Sequence, residues 1–229
     1  MRIDMHVHSE YSFDSKMKIK TIAKITKKRG LDGIALTDHN TLKGIKNAKE
    51  TFRNYGLMLI PGVELRVEKT DYLIYFIEEE ALLKIKEVND IIDYVKENNG
   101  IIGVAHPYRR GYNLPHRNIL ERLDVVEVFN ARNTFNENAM AENLVKKLNK
   151  TPTAGSDAHI YSYIGLGYII CGDDIKECLL KNKVRIAGEY PTRYMKMHNK
   201  LKAAQYMPST KKRYYLTHPY TAFKKLLKK

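Results

Sequence analysis

The sequence predicts an α/β protein whose strands close into a (β/α) barrel. Two observations predict it. Short, continuously apolar runs alternate with amphipathic stretches of helical period, the pattern of a parallel sheet covered by helices. Ionisable residues also stand where one apolar run after another gives way to a loop, and a barrel places its active site at those C-terminal strand ends. An open doubly wound sheet is the alternative. It gathers ligands at one crevice and does not readily converge groups from six or seven strand ends. The chain has no Gly-x-Gly-x-x-Gly and no Walker-type loop to favour it.

The elements follow in order. Residues 3–8 read as the first strand, and residues 17–28 as a helix with Ile19, Ile22, Ala23 and Ile25 on one face and Gly30 as its stop. Residues 33–37 are a strand. A helix over 42–54 follows, with Thr41 as N-cap and an end near Gly56. The apolar run 57–60 is broken by Pro61-Gly62 and leads to Glu64. Residues 71–77, rich in Tyr, Ile and Phe, form the next strand. The longest helical pattern spans 78–98, and its acidic start suits the helix dipole. Residues 101–105, 125–129 and 153–155 complete the buried strands, with helices over 136–148 and 173–182. Beyond residue 190, Pro208 and Pro219 divide the chain into short pieces, with helices expected at 194–206 and 221–227.

His6 and His8 are the most informative residues. In a strand, side chains two apart share a face, so two imidazoles project together from the end of the first strand and can chelate a metal ion. Alone, His-x-His is more often a pair of edge-strand histidines. What changes the odds is that Asp14, the Asp38-His39 pair, Glu64, His106 and the Asp157-x-His159 pair occupy equivalent places after other apolar runs.

These segments together resemble the PHP family, named for polymerase and histidinol phosphatase domains. The resemblance covers about residues 1–188 and rests on five ordered motifs: Asp4-Met5-His6-Val7-His8-Ser9 with Ser12 and Asp14 following, Leu36-Thr37-Asp38-His39-Asn40, Pro61-Gly62-Val63-Glu64, Ala105-His106-Pro107, and Gly155-Ser156-Asp157-Ala158-His159. It implies a distorted seven-stranded (β/α) barrel of the TIM-barrel-like kind, a cluster of two or three metal ions, and hydrolysis of phosphate esters. It makes His6, His8, Glu64 and Asp157 one ligand set and Asp14, His39 and His159 a second. His106 would help hold another ion, with Glu64 bridging. Imidazole and carboxylate donors suit Zn, Mn and Fe, and the lack of cysteine ligands argues against a purely structural zinc. The expected nucleophile is a metal-bound hydroxide. Asp38 is expected to orient His39 or a neighbouring ligand, with a helix cap or turn as the equal alternative.

One departure stands out. Family members with a full cluster carry a further His in the strand after the Glu motif. Here residues 69–76 contain none, and Tyr72 or Asp71 occupies the neighbourhood. Tyr is a poor ligand for these ions, and Asp71 has no assured orientation. The count of ions is therefore open between one and three.

Other groups have weaker claims. Glu127 lies between apolar residues and needs a partner, either supporting the pocket with Asn130 or making a structural hydrogen bond. Arg109, Arg110 and Arg132 follow strand ends and suit a phosphate clamp, although a solvated loop arginine is the commoner case. His116, in a Pro-containing loop, is a candidate general acid if it reaches the mouth; a surface His is the commoner case.

Composition sets the remaining bounds. The net charge is +14, yet residues 193–229 carry 11 Lys or Arg and no Asp or Glu, so the rest of the chain is near neutral. Basic residues interleaved there with Tyr194, Tyr206, Tyr214, Tyr215, Tyr220 and Phe223 suit nucleic-acid contact, the alternative being a tail packed on the barrel. The expected organisation is a barrel over 1–188 and a basic, Tyr-rich extension over 189–229. No apolar run approaches the roughly 20 residues that span a bilayer. No signal-peptide pattern is present, and Cys171 and Cys178 form no disulfide framework, so a reducing cytoplasm is the expected home.

The expected function is that of a stand-alone metal-dependent phosphoesterase, because no polymerase module is present. Its substrate would be a small phosphomonoester, a nucleotide or an oligonucleotide end. The alternatives are a histidinol-phosphate phosphatase and a non-catalytic nucleic-acid-binding module with a degenerate metal site. A metal-dependent amide or amine hydrolase ranks last.

Overall fold

A computed structural model of the chain describes residues 1–204. They fall into a unit Met1–Tyr190 and a second unit that begins at Pro191. In the first unit, β1 (Arg2–Val7), β2 (Gly33–Leu36), β3 (Met58–Val67), β4 (Thr70–Tyr75), β5 (Ile101–Val104), β6 (Val125–Asn130), β7 (Thr151–Gly155), β8 (Gly167–Ile170) and β9 (Arg185–Gly188) form one sheet in the order β7-β6-β5-β4-β3-β2-β1-β8-β9. Helices α1 (Ile19–Lys28), α2 (Ile45–Asn54), α3 (Val88–Glu97), α4 (Arg117–Arg122), α5 (Phe135–Leu148) and α6 (Ile175–Leu180) lie between strands in the chain.

The sheet curls into a nearly closed barrel, as expected. Beyond the end of β7, the Asp157 N–H donates to the His6 carbonyl at 2.8 Å and the His8 N–H to the Ala158 carbonyl at 3.1 Å, which brings β7 against β1. Buried Asp4 reinforces the seam by accepting from the backbone N–H of Ser156 and of Gly165. Burial pushes its carboxyl up to about 6, although those hydrogen bonds favour the charged form. Gly155 is required at the seam, because a Cβ there would stand 2.2 Å from the Cβ of His6.

The sheet is not wholly parallel. β1, β2 and β3 run parallel, as do β5, β6 and β7, but β4 is antiparallel to both its neighbours, and β8 and β9 are antiparallel additions. The physical reason is the link from β3 to β4. It is a hairpin turning at Glu68, whose φ is 55°, and only a crossover connection can keep two joined strands parallel. Pro61-Gly62 does not break the strand. Pro61 lies opposite Leu36 of β2, and from Gly62 onward β3 pairs with β4.

Two helices differ from expectation. The pattern over 78–98 resolves into a 3-10 turn, Glu80–Lys84, and α3, with extended backbone at Ile85 and Glu87 between them. A 21-residue helix would be about 31 Å long, far more than the short strand beside it can cover. α2 starts at Ile45 with Gly44 as N-cap; Thr41 instead accepts a turn hydrogen bond from the Lys43 N–H. β8, β9 and α4 have no counterpart in the sequence reading.

The barrel core holds Ile3, Met5, Ala35, Ile60, Leu73, Tyr75, Ile101, Val125, Ala154 and Ile169. Burying each large apolar side chain contributes about 1.5–3 kcal/mol, and the buried Tyr75 hydroxyl donates to the Met5 carbonyl. In the second unit, α7 (Arg193–Ala204) starts close to the first helix expected there, and the Met195 N–H donates to Thr192 Oγ1. The helix expected at 221–227 lies outside the described residues, as do Tyr206, Tyr214, Tyr215, Tyr220 and Phe223. No helix among the described residues is long and apolar enough to cross a membrane.

Candidate metal centre

Glu64 stands at the centre of the polar end of the barrel. Its Oε2 lies 3.2 Å from His6 Nε2, 3.3 Å from His8 Nε2 and 3.1 Å from His39 Nδ1, and its Oε1 lies 3.0 Å from His106 Nε2. Four imidazoles from three segments therefore converge on one carboxylate that is 1% exposed. Burial alone would raise its pKa; the facing imidazoles hold it well below the usual range.

Three donor groups surround Glu64. The first is His6, His8 and Asp157, the second His8, Asp14, His39 and His159, and the third Glu64 with Asp71 and His106. In the first, His6 Nε2 and His8 Nε2 are 3.0 Å apart, and Asp157 Oδ1 lies 3.8 and 3.4 Å from them. Donors 2.0–2.1 Å from a tetrahedral ion sit about 3.4 Å from one another, so this set fits a divalent cation without rearrangement. In the second, Asp14 Oδ2 lies 2.9 Å from His159 Nε2 and 3.4 Å from His39 Nε2. The eight residues expected as ligands are thus brought together at one end of the barrel.

The surrounding residues explain how the donors are aimed. Glu127 Oε1 accepts from His6 Nδ1 at 2.9 Å, which leaves His6 Nε2 as the donor facing the cluster. Its Oε2 accepts from the His106 N–H and from Asn130 Nδ2. Both alternatives for Glu127 hold at once: it makes structural hydrogen bonds, and they support the pocket. Ser12 donates to Asp14 and accepts from the His39 N–H. His106 and Asp157 adopt positive φ, 29° and 52°, a strained conformation for non-glycine residues that the surrounding hydrogen bonds maintain. His106 Nδ1 is buried without a hydrogen-bond partner.

Burial pushes the His8 ring down, but Asp157 and Glu64 raise it to about 9. His6 is likewise held well above the usual range by Glu127, Glu64 and Asp157 against its burial. Burial and the neighbouring His8 and Arg132 charges lower His159 to about 4, so its ring is neutral near pH 7. Burial opposes ionisation of Asp157, yet Arg132 and Arg109 hold its carboxyl well below the usual range.

The three residues expected to act in catalysis fare differently. Asp38 is buried, with its side chain bonded to Ser9. Its carboxylate accepts from the Ser9 N–H at 2.5 Å and from Ser9 Oγ at 2.6 Å, tying the loop after β1 to the end of β2. Arg109 is committed to the scaffold, donating to Asn133, Asp157 and Asn130, so its guanidinium fixes the Asp157 carboxylate where a phosphate clamp was expected. His116 precedes α4 and lines a separate groove with Tyr72, Asn113 and Leu114, away from the ligands. The loop carrying it folds against the β3–β4 hairpin, where the Asn113 N–H donates to the Lys69 carbonyl and the Thr70 hydroxyl to the Asn113 carbonyl.

Other groups enter that the sequence reading undervalued. Asp71 faces His106, with Oδ2 3.7 Å from its Nε2, while Tyr72 lines the outer groove. Arg66, Tyr112 and Phe13 line the central cavity, about 240 Å3, together with Arg132. Arg66 was legible in principle, since it stands two residues after Glu64 in a strand and shares its face. Tyr112 carries no such signal.

Comparison with known proteins agrees with this geometry. Residues 4–160 match the family model of the PHP domain. An uncharacterised protein of Methanocaldococcus jannaschii is 29% identical over 161 residues, which cover 65% of this chain and 94% of that protein. Among solved structures, a two-domain protein from Bacteroides vulgatus containing a predicted PHP-like metal-dependent phosphoesterase has a TM-score of 0.71 at 17% identity, covering 88% of this chain and 69% of that one. The lesion-specific endonuclease PfuEndoQ from Pyrococcus furiosus has a TM-score of 0.61 at 17% identity, covering 81% and 58%. At these identities the structural matches show the shared fold.

Proposed function

The chain belongs to the PHP domain family, and from that premise we propose that it is a metal-dependent phosphoesterase holding two divalent ions. The observation that carries this reading is the convergence of four imidazoles on Glu64, with Asp14, Asp157 and His159 completing two donor sets. His6, His8, Asp157 and Glu64 would hold one ion, and Asp14, His39 and His159 the other. Zn, Mn and Fe suit such nitrogen and oxygen donors. Such ions supply Lewis acidity and charge neutralisation toward a phosphate ester.

The chain's own residues do the rest. Arg109 and Arg132 fix Asp157 from two sides, at 2.7 and 2.9 Å. Arg132, with its side chain 32% exposed on the cavity, is the cation placed to meet phosphoryl oxygens, and a guanidinium matches them in a bidentate way. Glu127 holds the Nδ1 proton of His6 and keeps the other ring nitrogen free for an ion. His6, His8, Glu64, His106 and Asp157 are buried, which strengthens the charge interactions among them, while Asp14 is open to solvent on one side.

The substrate we assign is a nucleotide or a nucleic-acid end. Two things support it: the basic, aromatic stretch beyond residue 190 and the endonuclease among the proteins sharing the fold. The test is phosphate release with added Mn, Zn or Fe, on a panel running from simple phosphomonoesters through nucleotides to short single strands. Turnover should require metal and fall at least a thousandfold in His8→Ala, the order expected when a group that assembles the transition state is lost. No turnover from a protein whose metal content has been verified would refute the reading.

A further inference from the structure

The third donor group, Glu64, Asp71 and His106, offers a single imidazole, where the first has His6 and His8 beside Asp157 and the second has three, and one guanidinium grips its Asp71 with both arms. Arg66 Nε donates to Asp71 Oδ1 and Arg66 Nη2 to Asp71 Oδ2, both at 2.6 Å. Oδ2 is the oxygen that faces His106 Nε2. The fork is held from its other side, because Arg66 Nη2 also donates to the Tyr112 hydroxyl at 3.1 Å, and the Tyr112 ring meets the His106 ring edge-on at 4.8 Å. Register places this arrangement: Arg66 lies directly opposite Asp71 across the β3–β4 pair, so both side chains rise from the same face as Glu64.

The charges around the cavity are unevenly partnered. Asp71 has Arg66, and Asp157 has Arg109 and Arg132. Glu64 and Asp14 are met by imidazoles, which become neutral donors once they bind an ion. Asp157 is also held by guanidiniums at both oxygens, but an ion there has His6 and His8 to bind; in the third group His106 is the one imidazole, so an ion would depend on Asp71, whose two oxygens are both taken by Arg66. We infer that Arg66 takes the place of a third ion, limiting this centre to two and leaving a fixed guanidinium beside the cavity where a third metal charge would otherwise meet the substrate. This rests on the two-ion reading above and adds the residue that sets the ion count.

The test is metal content per chain after loading the full chain with Mn(II) and removing weakly held ions, together with a calorimetric Mn(II) titration. Wild-type protein should retain two ions, and Asp71→Asn should also retain two. Arg66→Met should rise to three, Arg66→Lys should stay at two, and Arg66→Met combined with Asp71→Asn should return to two. Three ions in the wild type, a loss of one ion in Asp71→Asn, or an unchanged or lower count in Arg66→Met would each overturn the inference. The Asp71→Asn measurement decides independently of whether Arg66→Met folds. A wild type that retains no ions would refute the phosphoesterase reading itself, whereas one that retains three would refute only the role of Arg66.

Discussion

Glu127 shows how much of the proposed metal centre rests on a residue outside its donor groups. It joins the His6 ring, the His106 backbone and the Asn130 amide. Glu127→Ala should weaken metal affinity by about 10–100-fold, as removal of such outer partners does, and should leave a buried His106 N–H unpaired. Equilibrium metal titration of the variant checks this. His8 makes a second prediction. In metal-free protein its ring is raised to about 9, from an ordinary value of 6.5. A histidine raised on folding contributes stability that is fully present below 6.5 and is lost as pH rises through 9. The stability difference between metal-stripped wild type and His8→Ala should therefore shrink between pH 6.5 and 9, as measured by thermal unfolding across that range. A difference that stays level would show that Asp157 and Glu64 do not hold the His8 charge.

At the scale of elements, the centre depends on where strands meet. Gly155 of β7 admits His6 of β1 at a distance that no side chain allows. Gly155→Ala must push against the His6 backbone and side chain, which cannot swing away. It should cost roughly 1–3 kcal/mol, the usual range for overpacking, and lower metal affinity because His6 is displaced. Thermal melts with and without metal separate the two effects. α5 illustrates a locally written element: Thr134 and Glu137 form a complete capping box, and Asn149 ends the helix in the left-handed conformation. The β3–β4 hairpin is the opposite case. Its turn, Glu68-Lys69, lacks the Asn-Gly or Asp-Gly signal of a tight hairpin, and only pairing across the sheet sets the register that puts Asp71 and Arg66 on the inner face.

For the whole molecule, charge is segregated. Residues 193–229 hold 11 basic groups and no acidic ones, against a nearly balanced remainder. If this stretch engages a polyanion, removing residues 191–229 should weaken single-strand binding and flatten its dependence on salt, since the slope falls by about 0.7 for every phosphate that is no longer neutralised. Binding measured at several salt concentrations checks this, and an unchanged slope would remove the stretch from substrate capture.

A strand's two-residue period places His6 and His8 on one face, and the motifs that follow turn that pair into a candidate metal site. Each of the other motifs declares itself the same way, as an ionisable group closing an apolar run, so the barrel and the convergence of these groups at one of its ends were legible from local pattern. The orientation of Asp71 and the place of His116 were not. Whether Asp71 faces the ions depends on a hairpin register in which one residue of slip turns every side chain to the other face. The position of His116 depends on how its loop folds against the β3–β4 hairpin, and the task of Arg109 on which partners meet it in three dimensions. Periodicity assigns a side chain to a face. Only the packed sheet decides what that face meets, because the partners come from distant segments, His159 and Asp14 lying 145 residues apart.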